Sequence, residues 1–182
     1  MIIAISGKSG SGKNSVGEQV AKALGLRVVS FSFKDAAAKL GKGLMDYQKD
    51  AAKDKSIDLD LDQKIAQEAA KGDCVVVTWL GPWVVKQADL RVWLDAPAEI
   101  RAVRIGARDK MGVEDALAHI TARDADNRSR YKKLYGIDID DRSIFDMALD
   151  SSRLTIDQMA SMVADAARKK QAGQKNRKRQ AK

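Results

Sequence analysis

The chain opens with a short apolar run that leads into a glycine-rich loop. Residues 7–15 read Gly-Lys-Ser-Gly-Ser-Gly-Lys-Asn-Ser. Gly7, four residues and then Gly12-Lys13 give the pattern of a phosphate-binding loop (P-loop), with Asn14 where Ser or Thr is usual. An amphipathic helical pattern follows, so loop N–H groups and the Lys13 charge are expected to converge on phosphates. The predicted nucleoside triphosphate site comprises Gly7, Lys8, Ser9, Gly10, Ser11, Gly12, Lys13, Asn14 and Ser15.

Strand-like and helix-like patterns alternate along the rest of the chain. Short apolar runs predict five strands, at residues 2–6, 27–33, 74–79, 90–94 and 144–149. Apolar residues at helical spacing predict helices at residues 13–24, 35–42, 58–71, 97–110, 113–131 and 155–169. This alternation indicates a parallel sheet covered on both faces. The predicted fold class is α/β, a three-layer doubly wound parallel sheet of about five strands, with ligands at the carboxyl ends of the strands.

Composition favours one soluble domain. A chain of 182 residues with 45% hydrophobic content can bury one core, which we expect over residues 1–170. The single cysteine, Cys74, is expected to be a buried apolar side chain, and a chain without internal disulfides suits a reducing cytoplasm. No apolar segment is long enough to span a bilayer. We therefore expect a cytoplasmic protein, monomeric and without a membrane partner.

The net charge of +8 is concentrated at one end of the chain. Residues 168–182 contain eight Lys or Arg and no acid, while the remaining residues balance at 25 of each sign. Residues 171–182 are predicted to form a disordered basic tail. Such a tail either binds RNA phosphates or an acidic partner, or only solubilises the protein. The sequence leaves both possibilities open.

Two arginine clusters follow the fourth predicted strand. Phosphoryl transfer depends on fixed positive charge around the transferring group, so arginines near a P-loop are candidates for that role. Two arginine-bearing helices joined by a Met-Gly turn predict a hinged lid over residues 108–132. Alternatively, they are solvated helices with surface ion pairs. The first cluster is Arg101, Arg104 and Arg108; the second is Arg123, Arg128 and Arg130.

Two longer segments resemble the archaeal cytidylate kinases. Residues 80–105 read LGPWVVKQADLRVWLDAPAEIRAVRI, and residues 130–141 read RYKKLYGIDIDD. With the P-loop, the resemblance covers residues 1–167. It implies a P-loop nucleoside monophosphate kinase fold, with a flap near residues 34–72 that binds the acceptor nucleotide and an arginine lid that covers ATP.

The resemblance also implies roles for individual residues. Lys13 and the loop backbone would hold the ATP β- and γ-phosphates. Arg104 and Arg108 would lie on the adenine and the phosphates, and Arg123 and Arg128 would neutralise the transferring phosphoryl group. The candidate catalytic residues are thus Lys13, Arg108, Arg123 and Arg128. His119, the single histidine, is expected on a helix surface.

Three positions depart from what the resemblance implies. Asn14 replaces the hydroxyl residue that ligates Mg²⁺, so Asn14 or Ser15 becomes the candidate ligand. Residues 31–38 lack the arginine that grips the acceptor phosphate, and residues 77–79 read Val-Thr-Trp where relatives carry Glu-Gly-Arg. Lys34, Lys39 or Lys64 could replace the missing charge, and Trp79 or Phe31 could stack on a base. The candidate acceptor-binding residues are Lys34, Asp58, Asp62 and Trp79, although Asp58 and Asp62 also fit a solvated helix face.

Together these observations predict a phosphotransferase that uses ATP and Mg²⁺. The expected acceptor is a CMP- or dCMP-like monophosphate, which would yield the diphosphate and ADP. One alternative is a P-loop ATPase on a kinase scaffold that acts with RNA or a ribonucleoprotein through the basic tail. Another is a kinase for a nucleoside or a phosphate-poor small metabolite.

Overall fold

The computed structural model describes residues 1–31 and 33–180, apart from the side chains of residues 34, 35, 45, 52 and 175–180. Within this range it has five strands: β1 (Ile2–Gly7), β2 (Arg27–Val29), β3 (Cys74–Val77), β4 (Leu90–Asp95) and β5 (Met147–Asp150). The helices are α1 (Lys13–Leu24), α2 (Phe33–Lys39), α3 (Leu44–Lys53), α4 (Ser56–Ala70), α5 (Gly81–Val84), α6 (Ala98–Asp109), α7 (Val113–Tyr135) and α8 (Ile156–Gln180).

The strands form one parallel sheet in the order β2-β3-β1-β4-β5. Ile3 of β1 pairs with Val75 on one side and Leu90 on the other, so β1 is the central strand. Every residue of β1 is buried. Strands β2 and β3 lie on one side of β1, and strands β4 and β5 lie on the other. The loop after β1 therefore lies at the point where the strand order reverses, which is the usual ligand position in parallel sheets of this kind.

Helices cover both faces, because successive side chains of a strand point in opposite directions. Ile3 and Ile5 pack against α1 and α8 in one core. Ile2 and Ala4 pack in a second core with Ile65 of α4. The predicted three-layer α/β class is therefore confirmed.

The largest difference from the sequence-based expectation lies in α8. This helix continues to Gln180, whereas disorder was expected from residue 171. Lys170 donates to the Asp89 carbonyl at 2.8 Å, and Gln174 donates to the Asp89 carboxylate at 2.9 Å, so the start of the basic segment is held against the sheet. Lys, Arg and Gln, which are strong helix formers, predominate after Gln174. Cations near a helix C-terminus also interact favourably with the helix dipole.

Smaller differences concern the flap. Strand β2 ends at Val29 rather than residue 33, and α2 begins at Phe33. The polar stretch after α2 forms two helices, α3 and α4, which meet at Asp54. No helix in the described part of the chain is both long and apolar enough to cross a membrane. The boundaries of flap, lid and tail as separate units stay predictions.

Candidate active site

A cavity of about 850 Å³ opens at the carboxyl edge of the sheet. One end, the loop half, is lined by the P-loop and by Arg104, Arg108 and Arg123. The other end, the flap half, is lined by side chains from α2 to α4, from the end of β3 and from α7. These include Phe33, Gln48, Asp58, Asp62, Thr78, Trp79, Asn127 and Tyr131.

The P-loop follows β1 so closely that two of its glycines have no room for a side chain. A Cβ on Gly7 would lie 2.5 Å from the Leu94 carbonyl oxygen, and a Cβ on Gly10 would lie 2.8 Å from the Arg101 carbonyl oxygen. Gly10 also has a φ of 83°, which L side chains rarely adopt. The backbone can therefore wrap tightly around a small anion and present its N–H groups to it.

Arg104 is hydrogen-bonded to the P-loop and to Ser151, which follows β5. Its Nη1 donates to the Gly10 carbonyl at 3.2 Å and to Ser151 Oγ at 3.0 Å, and its Nη2 donates to the Ser151 carbonyl at 2.6 Å. Arg104 also lines the cavity, so it supports the loop and borders the space beside it.

The loop half is a cluster of positive charge. Burial, together with the charges of Arg123 and Arg108, lowers the pKa of Lys13 to about 7. Burial also lowers the pKa of Arg123. Arg123 Nε and Ser11 Oγ are buried without a hydrogen-bond partner. A polyphosphate would neutralise this charge and accept hydrogen bonds from these groups, so the residues present fit ATP.

Asn14 and Ser15 line the same half of the cavity, on the exposed first turn of α1. Their amide and hydroxyl oxygens are ligand types that Mg²⁺ accepts. In the described part of the chain, no group of three or more His, Cys, Asp or Glu residues could hold a metal. Asn14 and Ser15 offer two neutral oxygens, a donor set that fits a metal ion with nucleotide phosphates among its other ligands.

Arg128 occupies a different place from the one that the resemblance implied. Its Nε donates to Asp140 at 2.7 Å. It is not among the residues that line the cavity, whereas Lys13, Arg108 and Arg123 are. Arg108 is itself paired with Asp109, at 2.6 Å.

The flap half contains a buried ion pair that the sequence did not indicate. Asp58 is 2% exposed, and its Oδ2 lies 3.5 Å from Arg130 Nε. Arg130 Nη2 donates to Asn127 Oδ1 at 2.7 Å, and the guanidinium lies 4.7 Å from the Phe33 ring centroid. Burial raises the pKa of Asp58 despite the nearby Arg130 charge. Asp58 Oδ2 and two nitrogens of Arg130 lack hydrogen-bond partners, so the pair retains capacity for a polar ligand.

Other groups in the flap half are also unsatisfied or shifted. Tyr135 donates to Asp62 at 2.5 Å, but burial outweighs this bond and raises the pKa of Asp62 to about 6. Thr78 Oγ1 and Trp79 Nε1 are buried without hydrogen-bond partners. The Trp79 ring lies 6.5 Å from that of Tyr131. These groups can accept, donate and stack, as recognition of a nucleobase requires.

The structure brings most of the sequence-predicted residues to one cavity. P-loop residues 9–15, Arg104, Arg108, Arg123, Asp58, Asp62 and Trp79 all line it. The side chain of Lys34 lies outside the described residues. The sequence did not assign Asn127 or His119 to the cavity, although both line it. It grouped Arg130 with the arginines of the predicted lid, whereas the structure pairs Arg130 with Asp58 behind the flap half. The spacing of these α7 residues is a usable signal, because positions 119, 123, 127 and 130 repeat at helical intervals and share one face of α7.

Comparisons with known proteins agree with this geometry. A sequence profile of the cytidylate kinase-like family matches residues 31–153. A cytidylate kinase from Pyrobaculum islandicum is 43% identical, over 86% of this chain and 86% of its own. Another, from Pyrococcus horikoshii, is 38% identical over 84% of this chain and 81% of its own.

Solved structures share the fold at lower identity. A shikimate kinase from Acinetobacter baumannii has a TM-score of 0.59 at 19% identity, covering 91% of this chain and 92% of its own. A deoxyadenosine kinase from M. mycoides with bound dATP has a TM-score of 0.56 at 15% identity, covering 92% of this chain and all of its own (100%). These likenesses concern the fold alone.

Proposed function

We propose that the chain, which belongs to the cytidylate kinase-like family, transfers the γ-phosphoryl group of ATP to a nucleoside monophosphate such as CMP or dCMP. The observation that carries this proposal is the continuity of the cavity. It joins a cationic P-loop end, with Lys13, Arg108 and Arg123, to an end that carries carboxyl and aromatic groups. A donor and an acceptor can thus meet within one continuous cavity.

In the loop half, the protein acts by position and charge. Backbone N–H groups of the P-loop and the ammonium of Lys13 bind the donor phosphates. Arg123 lies near Lys13, where negative charge on the transferring group is stabilised most strongly in the transition state. Mg²⁺, held by Asn14 or Ser15, would neutralise charge on the phosphate oxygens.

In the flap half, the protein selects the acceptor. Arg130 lies behind the cavity wall at this end, where it pairs with Asp58 and donates to Asn127, two residues that line the cavity. Asp58 and Asp62 can accept hydrogen bonds from the exocyclic amine of a base such as cytosine, and Trp79 or Tyr131 can stack on its ring. A contribution of Lys34 to acceptor binding stays a prediction.

The test is ADP release with a panel of acceptors. CMP, dCMP, UMP, AMP, cytidine, an RNA oligonucleotide and an acceptor-free control are compared at saturating ATP and Mg²⁺. We expect a cytidine monophosphate to accelerate ADP release by about 100-fold or more over the acceptor-free rate, because transfer to a bound and positioned acceptor is faster than transfer to water. Equal rates with and without every monophosphate would reject the function. Acceleration by RNA alone would favour the ATPase alternative.

The described start of the basic segment lies away from this site. Lys170 and Gln174 contact Asp89, which directly precedes β4 and so lies at the amino edge of the sheet, opposite the cavity. Removal of residues 175–182 should leave turnover unchanged, because it leaves these contacts intact. RNA binding by this segment, a monomeric state and a cytoplasmic location stay predictions.

A further inference from the structure

Helix α7, which carries Arg123, is joined to the P-loop through Arg101 of α6, which pairs with Asp124 of α7 and donates to the Ser9 carbonyl. Arg101 Nη2 lies 2.9 Å from Asp124 Oδ2, and the two side chains are 5% and 13% exposed. The same guanidinium donates to the Ser9 carbonyl at 3.2 Å and to the Ala96 carbonyl at 3.1 Å. Since Asp124 directly follows Arg123, this inner link fixes the α7 turn that presents Arg123 to the cavity.

A second, outer link joins α7 to Lys8, the residue before Ser9 in the P-loop. Asp140, in the segment after α7, lies 3.3 Å from Lys8 Nζ and accepts from Arg128 Nε at 2.7 Å. Partial burial raises the pKa of Asp140, but Arg128 and Lys8 outweigh it and hold the pKa below its ordinary value. One carboxylate thus shares two cations that belong to different elements.

The outer link is itself held to the sheet. Arg142 Nη2 lies 3.7 Å from Asp140 Oδ1, and its guanidinium packs 3.7 Å from the ring centroid of Trp93 in β4. A single exposed ion pair contributes little, but a carboxylate shared by Arg128 of α7, Lys8 of the P-loop and Arg142 of its own segment restrains all three together. Lys8 and Ser9 are therefore both tied to α7, through different carboxylates.

We propose that Asp124 and Asp140 are positioning residues, which hold helix α7 on the P-loop so that Arg123 and Lys13 line the same end of the cavity. Arg128 then acts through Asp140 and not on the substrate. The inference rests on the proposed phosphoryl transfer, since it assigns a purpose to the alignment of Arg123. A small displacement of a charged group should lower the rate of phosphoryl transfer more than it weakens substrate binding, because the charge stabilises the transition state most strongly.

The test compares four single variants and the Asp140→Asn/Arg128→Gln double variant with one control. Asp140→Asn, Arg128→Gln and Asp124→Asn each remove one charge from a link, and Asp124→Glu keeps the charge. Asp165→Asn is the matched control, because it breaks a surface pair with Arg168 on α8, away from the cavity. For each protein, kcat, KM for ATP, KM for the monophosphate, melting temperature and hydrogen exchange of residues 113–135 are measured.

We expect Asp140→Asn and Arg128→Gln to lower kcat similarly, by about tenfold, with both KM values nearly unchanged. The double variant should be no worse than either single variant, because both changes break the same link. Asp124→Asn should lower kcat by about 100-fold, with partial rescue in Asp124→Glu. Amides of α7 should exchange faster in the Asp140→Asn and Arg128→Gln variants than in wild type. Their exchange rates should be unchanged in the control.

Two results would overturn the proposal. In the first, Arg128→Gln abolishes turnover while Asp140→Asn leaves kcat and exchange at wild-type values, which would mean that Arg128 touches the transferring group. In the second, variants of both carboxylates match the control. If Asp124→Asn fails to fold, Asp140→Asn and Asp124→Glu still decide. Wild-type protein without turnover would reject the proposed function instead, and hydrogen exchange would still report on the links.

Discussion

The two halves of the cavity are built in different ways. The loop half follows the central strand, and backbone geometry shapes it, as the crowding around Gly7 and Gly10 shows. The flap half is shaped by side chains from several different helices, with the Asp58–Arg130 pair at its back. Lys13, Arg104, Arg108 and Arg123 line the loop half, while Asp58 and Asp62 line the flap half.

This difference separates a general task from a specific one. Phosphates are alike in every nucleotide, so a rigid backbone loop and fixed cations are sufficient to bind them. An acceptor must be distinguished from its competitors, and buried polar groups that lack partners discriminate strongly, because a wrong ligand leaves them unsatisfied. We therefore expect changes in the loop half to abolish transfer and changes in the flap half to alter acceptor use.

The largest effect is expected for Lys13→Met. Loss of this cation should lower kcat by about 1000-fold, because it removes a fixed charge beside the transferring phosphoryl group. The variant should also be more stable than wild type at neutral pH, since burial and two arginines disfavour the charged ammonium. Steady-state kinetics and thermal unfolding without ligand check both. Turnover that survives the substitution would contradict the role of the P-loop lysine.

The same contrast explains what the sequence could predict. The Gly-x₄-Gly-Lys pattern is local, so it identified β1, the loop and the start of α1 without knowledge of the fold. The Asp58–Arg130 pair joins residues far apart in the chain, and no local pattern reports that they meet. The sequence also assigned Arg128 to the cavity by resemblance, but only the fold shows that Asp140 binds it. Local motifs therefore predicted the loop half better than the flap half.

In the flap half, Arg130→Met should raise KM for the monophosphate by about 100-fold, because it removes the cation behind the acceptor end that holds Asp58 and Asn127 in the cavity wall. KM for ATP should stay nearly unchanged. The change also strands the Asp58 carboxylate, so the double variant with Asp58→Asn separates acceptor binding from folding: it should recover stability but not acceptor affinity. Equal increases in both KM values would show that the two halves are not independent.

ATP affinity should depend on pH through the loop half alone. In the free protein the pKa of Lys13 is about 7, and a bound polyphosphate favours the charged form and so raises that pKa. Above pH 7, ATP binding must therefore take up a proton, and the dissociation constant should rise by up to about tenfold per pH unit. Calorimetry between pH 7.5 and 9, in buffers of different ionisation enthalpy, measures the uptake. Lys13→Met should remove this dependence; wild-type affinity that is constant over the range would refute it.

The smallest effect concerns Asp62 and should act on stability and function in opposite directions. Its pKa is about 6 in the folded protein against an ordinary 3.8, so the unfolded chain releases this proton first as pH rises. The free energy of unfolding should therefore fall between about pH 4 and pH 6 and stay lowered above that range. Asp62→Asn keeps an oxygen that accepts from Tyr135 but cannot ionise, so it should be more stable than wild type by about 1–2 kcal/mol at pH 7 and equal to it near pH 4. Tyr135→Phe is the matched control, because loss of the donor should raise the Asp62 pKa further and enlarge the loss of stability at pH 7.

If Asp62 binds the acceptor amine, the same Asp62→Asn protein should use cytidine monophosphates less well. Denaturant unfolding at several pH values, combined with acceptor kinetics, measures whether the buried charge of Asp62 lowers stability and aids acceptor binding. An Asp62→Asn variant that is less stable than wild type at pH 7 would contradict this prediction.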